Sequence, residues 1–156
     1  MKITLIAIGK THEKYLVEGI AIFQKRLKHY CQFEFIELKD VKSTENKEDL
    51  LKAESDLVLA KISAKDLLIL LDERGQQYSS KAFATFIEKR GVSESGRRLV
   101  FLIGGAFGVS EIIRQKSEYQ LSLSSLTFSH QMIRLFFVEQ LYRAFTIIKN
   151  EKYHNE

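Results

Sequence analysis

The sequence has no proline, no tryptophan and a single cysteine, Cys31, among its 156 residues. Without proline, no cis-proline turn fixes any loop. With one cysteine, no intrachain disulfide can form, and a reducing, cytoplasmic setting is expected. No apolar run approaches the roughly 20 residues needed to span a bilayer, so no membrane partner is expected. The four histidines, His12, His29, His130 and His154, are scattered without paired ligand spacing, and no metal site is expected. Residues 3–8 after Lys2 faintly resemble a secretory signal, but the run is short and charged sequence follows at once; a first strand is the better reading.

What remains is an ordinary globular mixture, 45% hydrophobic and 28% charged, of a length that makes one domain. The net charge of +4 is compatible with a polyanionic partner without requiring one. Lys25, Arg26, Lys28, Lys89, Arg90, Arg97 and Arg98 could contact phosphates, and each cluster reads equally well as a solvated helix face.

Along the chain, apolar runs at residues 2–8, 66–72 and 99–103 and the alternating stretch 32–38 read as strands, and a fifth begins near Leu121. Between them, helical spacing spans residues 12–30, a charged stretch to about residue 62, residues 80–90 and a short segment after Gly108. Ser43 and Thr44 are candidate N-caps for the second helix, and Gly91 a candidate C-cap residue for the third. Glu73, Arg74 and Gly75 read as a turn out of the third strand. This alternation predicts an α/β fold, a single domain covering residues 1–156 with a mostly parallel sheet.

Two loops stand at strand ends and lead into helices, the position where open α/β sheets bind small ligands. The first is Gly104-Gly-Ala-Phe-Gly108, whose spacing is not the dinucleotide pattern G-x-G-x-x-G. It is either a tight turn needing glycine or a place where a ligand presses on bare backbone. The second, residues 121–129, is rich in hydroxyl groups and ends in Ser129, a candidate cap for the last helix. No G-x-S-x-G elbow accompanies its serines, which argues against a hydrolase. Gly9-Lys10-Thr11 lacks the earlier glycine of a phosphate-binding loop and is rejected as one. The helix over residues 129–150 is apolar on two sides, from Met132 and Ile133 through Phe136, Phe137 and Leu141 to Ile148. One side can cover the sheet; the other is either buried within the monomer or, the better reading, part of a self-complementary dimer.

Ile6-Ala-Ile-Gly-Lys10, Leu71-Asp72 with Gly75, Ile103-Gly-Gly105 with Gly108, Leu121-Ser-Leu-Ser124, Leu126-Thr-Phe-Ser-His-Gln131, Val138-Glu-Gln-Leu-Tyr-Arg-Ala144 and Tyr153-His154 resemble the bacterial ribosomal RNA large subunit methyltransferase H family. The resemblance runs through the whole chain in order. It implies a SPOUT-type α/β knot, with the C-terminal part threaded as a trefoil, a rare exception to unknotted folding. It further implies a cytoplasmic homodimer, S-adenosylmethionine as methyl donor without a metal, and N3 of a pseudouridine in 23S rRNA of the assembled ribosome as acceptor. By motif match, the donor would contact Leu71, Gly104 and the loop residues Leu123, Ser124, Ser125, Leu126, Thr127 and Phe128. Arg143, Tyr153 and His154, from the other subunit, would position the acceptor base or ease loss of its proton. The chain departs from the family pattern at Phe107, Ser129, Lys152 and Asn155, where the family has an acidic residue or Asn, proline, proline, and Arg or Lys. Two other readings are a non-catalytic RNA- or ribosome-binding module, which would have no reason to bind S-adenosylmethionine, and a methyltransferase acting on another RNA.

Overall fold

The structure, a computed structural model, describes residues 1–41, 46–93 and 96–154. Among the described residues five strands alternate with five helices: β1 (Lys2–Ile8), α1 (Lys14–Leu27), β2 (Gln32–Leu38), α2 (Lys47–Leu59), β3 (Leu67–Gln77), α3 (Ser80–Ser93), β4 (Leu99–Ile103), α4 (Glu111–Lys116), β5 (Tyr119–Ser122) and α5 (Met132–Ile148). The strands form one sheet in the order β2-β1-β4-β3-β5, and every pairing is parallel. Parallel neighbours need crossover helices, which cover both faces and demand apolar residues on both. The period-2 alternation supplies them. Ile3, Leu5, Ile69 and Phe101 face α1, α3 and α5. Ile6, Leu68, Leu70, Val100 and Leu102 face α2 and α4.

The predicted α/β class and parallel sheet are therefore present, with four local corrections. β3 does not end at Asp72 but continues to Gln77, because Gln76 and Gln77 rejoin β5 beyond an interruption. Leu71 and Gln76 both register on Leu121, so residues 72–75 bulge out between them. Gly91 lies inside α3 rather than after it: a Cβ there would fall 1.9 Å from Cε of Met1, so the missing side chain makes room for Met1. Asn46 caps α2, its side chain accepting the Glu48 amide at 2.9 Å; Ser43 and Thr44 lie outside the described residues.

The fourth correction concerns α5. Its flanks are not left without partners inside the chain, because α1 and α3 pack on either side of it. Phe137, Val138 and Leu141 are wholly buried, each side chain stabilising the fold by about 1.5–3 kcal/mol. Phe136 remains 39% exposed. Arg134, which in sequence merely interrupts the apolar run, is also wholly buried.

Candidate functional site

β3 is followed by a helix on one face of the sheet and its neighbour β4 by a helix on the other. Such a reversal opens a crevice beyond the strands' carboxyl ends. A cleft of about 590 Å³ lies there, within the range of small-molecule sites. Its walls come chiefly from the end of β3 with its bulge, the turn after β4 and the loop between β5 and α5, joined by Lys47 of α2, Arg114 of α4 and Ile133 of α5.

The glycine turn is shaped by backbone. Gly105 and Gly108 close it, the Gly108 amide donating to the Gly105 carbonyl at 3.0 Å, with Gly108 at φ +81°. A Cβ on Gly104 would stand 2.7 Å from the Gly108 carbonyl oxygen, so only glycine permits this closure. Phe107 is 58% exposed at the cleft's rim, with the Lys47 ammonium 5.7 Å above its ring. Opposite, the hydroxyl-rich loop is held by its own side chains. Ser124 Oγ accepts the Leu126 amide at 2.9 Å, and the Ser122 hydroxyl donates to the Ser124 carbonyl at 2.8 Å. Thr127 Oγ1 donates to Glu73 at 2.9 Å, tying this loop to the β3 bulge. The Phe128 and Phe136 rings meet at 4.8 Å.

Two carboxylates border the cleft. Asp72 accepts from Arg114 and from the Arg74 amide, both at 2.9 Å. Burial pushes its carboxyl upward, but the amide and the guanidinium outweigh that and hold it below the usual range. Ser129 caps α5, its Oγ accepting the Met132 amide at 3.1 Å. His130 follows, half-buried and lining the cleft. Burial pushes its imidazole below the ordinary value, Arg134 and His12 act in the same direction, and Asp40 opposes them.

Of the residues expected to contact a donor, Leu71, Gly104, Leu123, Ser124, Leu126, Thr127 and Phe128 line this cleft together. Ser125 is exposed and stands outside the lining. Arg143, Tyr153 and His154 also come together, but elsewhere. Arg143 pairs with Glu139 at 2.5 Å, lies 4.8 Å from the Tyr153 ring centre and has Nη1 3.5 Å from His154 Nδ1. The Tyr153 hydroxyl donates to the same Glu139 oxygen at 3.1 Å. None of the three lines the cleft. Arg143 stands ten residues beyond Ile133 of the lining, about 15 Å along the helix axis. Asn155 lies outside the described residues.

Sequence reasoning did not select Asp72, Glu73, Arg114 or His130 as part of this cleft. Asp72 and His130 sit within the motifs and could have been chosen; Arg114 reaches the site only through the fold.

An all-parallel sheet with a glycine-and-serine-walled cleft at its strand ends defines a class that binds a small ligand on backbone and short loops. Comparison gives that class a family. A family model described as "Predicted SPOUT methyltransferase" matches residues 1–154, and the chain belongs to this methyltransferase family. The chain is 47% identical to the "Ribosomal RNA large subunit methyltransferase H" of Christiangramia forsetii, with 99% of each chain covered. It is equally similar, at 47%, to proteins of the same name in Cytophaga hutchinsonii, with 99% of this chain and all of that one covered, and in Flavobacterium johnsoniae, with all of both covered. Among solved structures it resembles a probable methylase family protein from Haemophilus influenzae, with a TM-score of 0.55 and 14% identity over 99% of this chain and 70% of that one. That likeness concerns the fold.

Proposed function

We propose that this protein transfers the methyl group of S-adenosylmethionine to N3 of a pseudouridine in 23S rRNA on the assembled ribosome, in the cytoplasm. The observation that carries the reading is the cleft itself: the segments matching the family's donor motifs converge on one cavity in a chain that is 47% identical over its length to named rRNA methyltransferases. The cleft also suits the donor chemically. Leu71, Ile103, Leu121 and Leu123 offer apolar walls for a purine, and the backbone surface at Gly104 and Gly105 leaves room for close approach. Glu73 and Asp72 offer negative charge to the donor's cationic part, and Arg74 and Arg114 positive charge to its carboxylate. The donor-binding set is Leu71, Gly104 and the loop Leu123, Ser124, Ser125, Leu126, Thr127 and Phe128, with Ser125 the member standing outside the lining.

When bound, the donor supplies a methyl group activated by a sulfonium centre. The protein's own part is to hold the acceptor nitrogen in line and to keep water out, and positioning supplies much of the rate. Arg143, Tyr153 and His154 are proposed to act on the acceptor from the partner subunit of a homodimer. Supporting this, their cluster is preformed around Glu139 yet stands about 15 Å along α5 from its own chain's cleft. Tyr15 and Ile22 on α1 and Phe136 on α5 are 59%, 52% and 39% exposed, and this apolar surface is the proposed dimer contact. The C-terminal part is proposed to carry the family's knotted threading. Mapping of modified bases in 23S rRNA from cells lacking the protein tests the reading: one pseudouridine should lose its N3 methyl group and regain it on complementation. Unchanged methylation would refute the named substrate.

A further inference from the structure

The imide N3 of a pseudouridine carries a proton at neutral pH, so methylation there requires a group to take it. Few side chains of the cleft can. Asp72 is engaged by Arg114 and by the Arg74 amide, which make it a weak proton acceptor. Glu73 accepts the Thr127 hydroxyl, while Lys47, Arg74 and Arg114 are cations. Among the described residues lining the cleft, His130 is the one imidazole. His154, proposed to reach the acceptor from the partner subunit, already faces the Arg143 guanidinium at 3.5 Å. That cation would repel a protonated ring, which leaves His154 a positioning role.

Its place is fixed from both sides. Ser129, just before it, accepts the Met132 amide on its hydroxyl and the Ile133 amide on its carbonyl, each at 3.1 Å. The His130 carbonyl accepts Arg134 Nε at 2.8 Å, and Arg134 is anchored in turn to the Ile8 and Gly9 carbonyls at 2.7 and 2.9 Å. The first turn of α5 is thereby locked to the end of β1, and the imidazole stands on a rigid base beside the donor loop.

We propose that His130 is the general base of the transfer, an inference that rests on the functional reading above. As the N3–H bond breaks, its proton passes to a ring nitrogen of His130. N3 bonds to the methyl carbon while the carbon–sulfur bond of the donor breaks, its electron pair staying on sulfur. The proton then leaves to water and the imidazole is neutral again. The surroundings keep the ring unprotonated, and so able to accept, at the cost of some basicity. Arg134 and His12 disfavour the imidazolium, Asp40 favours it, and burial tips the balance so that the ring is neutral at physiological pH.

The test compares wild type with His130→Gln in single-turnover transfer to unmethylated ribosomes from about pH 5 to pH 9, bracketing the imidazole range. Donor affinity is measured by calorimetry, and the imidazole is titrated by NMR in the donor-bound protein, its signal assigned by its absence from the variant. The variant should bind donor like wild type but transfer about 100-fold more slowly or worse at neutral pH. The wild-type rate should fall below the pH at which the NMR signal titrates. The variant's rate should instead climb about tenfold per pH unit as N3 itself ionises, closing the gap at high pH. A wild-type rate in the variant, a deficit constant across pH, or an NMR midpoint unrelated to the kinetic one would overturn the role of His130. Absence of transfer by wild type would overturn the functional reading, and this inference with it.

Discussion

Arg134→Met offers a demanding test of how the site is held. The guanidinium is wholly buried and donates to the carbonyls of Ile8, Gly9 and His130, to Thr11 Oγ1 at 3.0 Å and to Glu37 at 3.4 Å. Methionine keeps much of the length and removes every donor. The Ile8 and Gly9 carbonyls then lose their guanidinium partner where water does not reach, at about 1–3 kcal/mol each. Relief of the buried charge offsets part of this, and the net loss is about 3–5 kcal/mol, as for other buried ionic networks that lose one member. For a domain of this size each kcal/mol lowers Tm by about 2–4 °C, so thermal unfolding at fixed protein concentration should shift down by roughly 10 °C. Arg134→Lys, which keeps charge and loses the planar fork, should fall between. A methionine variant within about 1 kcal/mol of wild type would refute the reasoning, because the hydrogen bonds would then do no more than offset desolvation.

Three further outcomes follow from other contacts. Gly75→Ala would put a Cβ 2.6 Å from the Gln120 carbonyl carbon and the Leu121 nitrogen, forcing β5 away; calorimetry should record weakened donor binding and unfolding curves a loss of at least about 1–3 kcal/mol. Removing residues 153–156 should lower transfer by about 100-fold or more while leaving donor affinity unchanged, and a truncation with full activity would remove the tail from the mechanism. Burial raises the Asp66 carboxyl, but Arg98 (2.6 and 3.1 Å) and the Ser63 amide (2.7 Å) outweigh it and hold the group below its usual value. Its contribution is therefore full above the ordinary carboxylate range and lost as pH falls through the folded-state value. Asp66→Asn should cost about 2 kcal/mol at neutral pH in denaturant unfolding, and less at acid pH, flattening the acid limb of the stability profile.

The sheet was legible because its chemistry is local. A parallel strand must be apolar on both faces, and β1, β4 and the first half of β3 say so in their composition. The second half of β3, Asp72 to Gln77, is polar, and its return to the sheet at Gln76 and Gln77 depends on β5 lying beside it, which no local pattern carries. The donor cleft was half legible for the same reason. Gly104 and the serines of the β5–α5 loop are dictated by their own backbone, whereas Arg114 and Lys47 reach the cleft through topology. Arg134 was hidden most completely. In sequence it resembles an exposed interruption of an apolar helix; in the fold it joins α5 to the end of β1 and the loop beyond it, 125 residues back. His130 was visible as a residue and not as a chemical group, because its surroundings come from Asp40, His12 and Arg134 on three different segments.

The most direct test of the proposed function is transfer by the purified protein. Ribosomes from cells lacking it are incubated with the protein and methyl-labelled S-adenosylmethionine, and the rRNA is digested to nucleosides for mass spectrometry. Label should appear in N3-methylpseudouridine from 23S rRNA and in no other nucleoside. Label in a different nucleoside, or none in 23S rRNA, would contradict the proposed function.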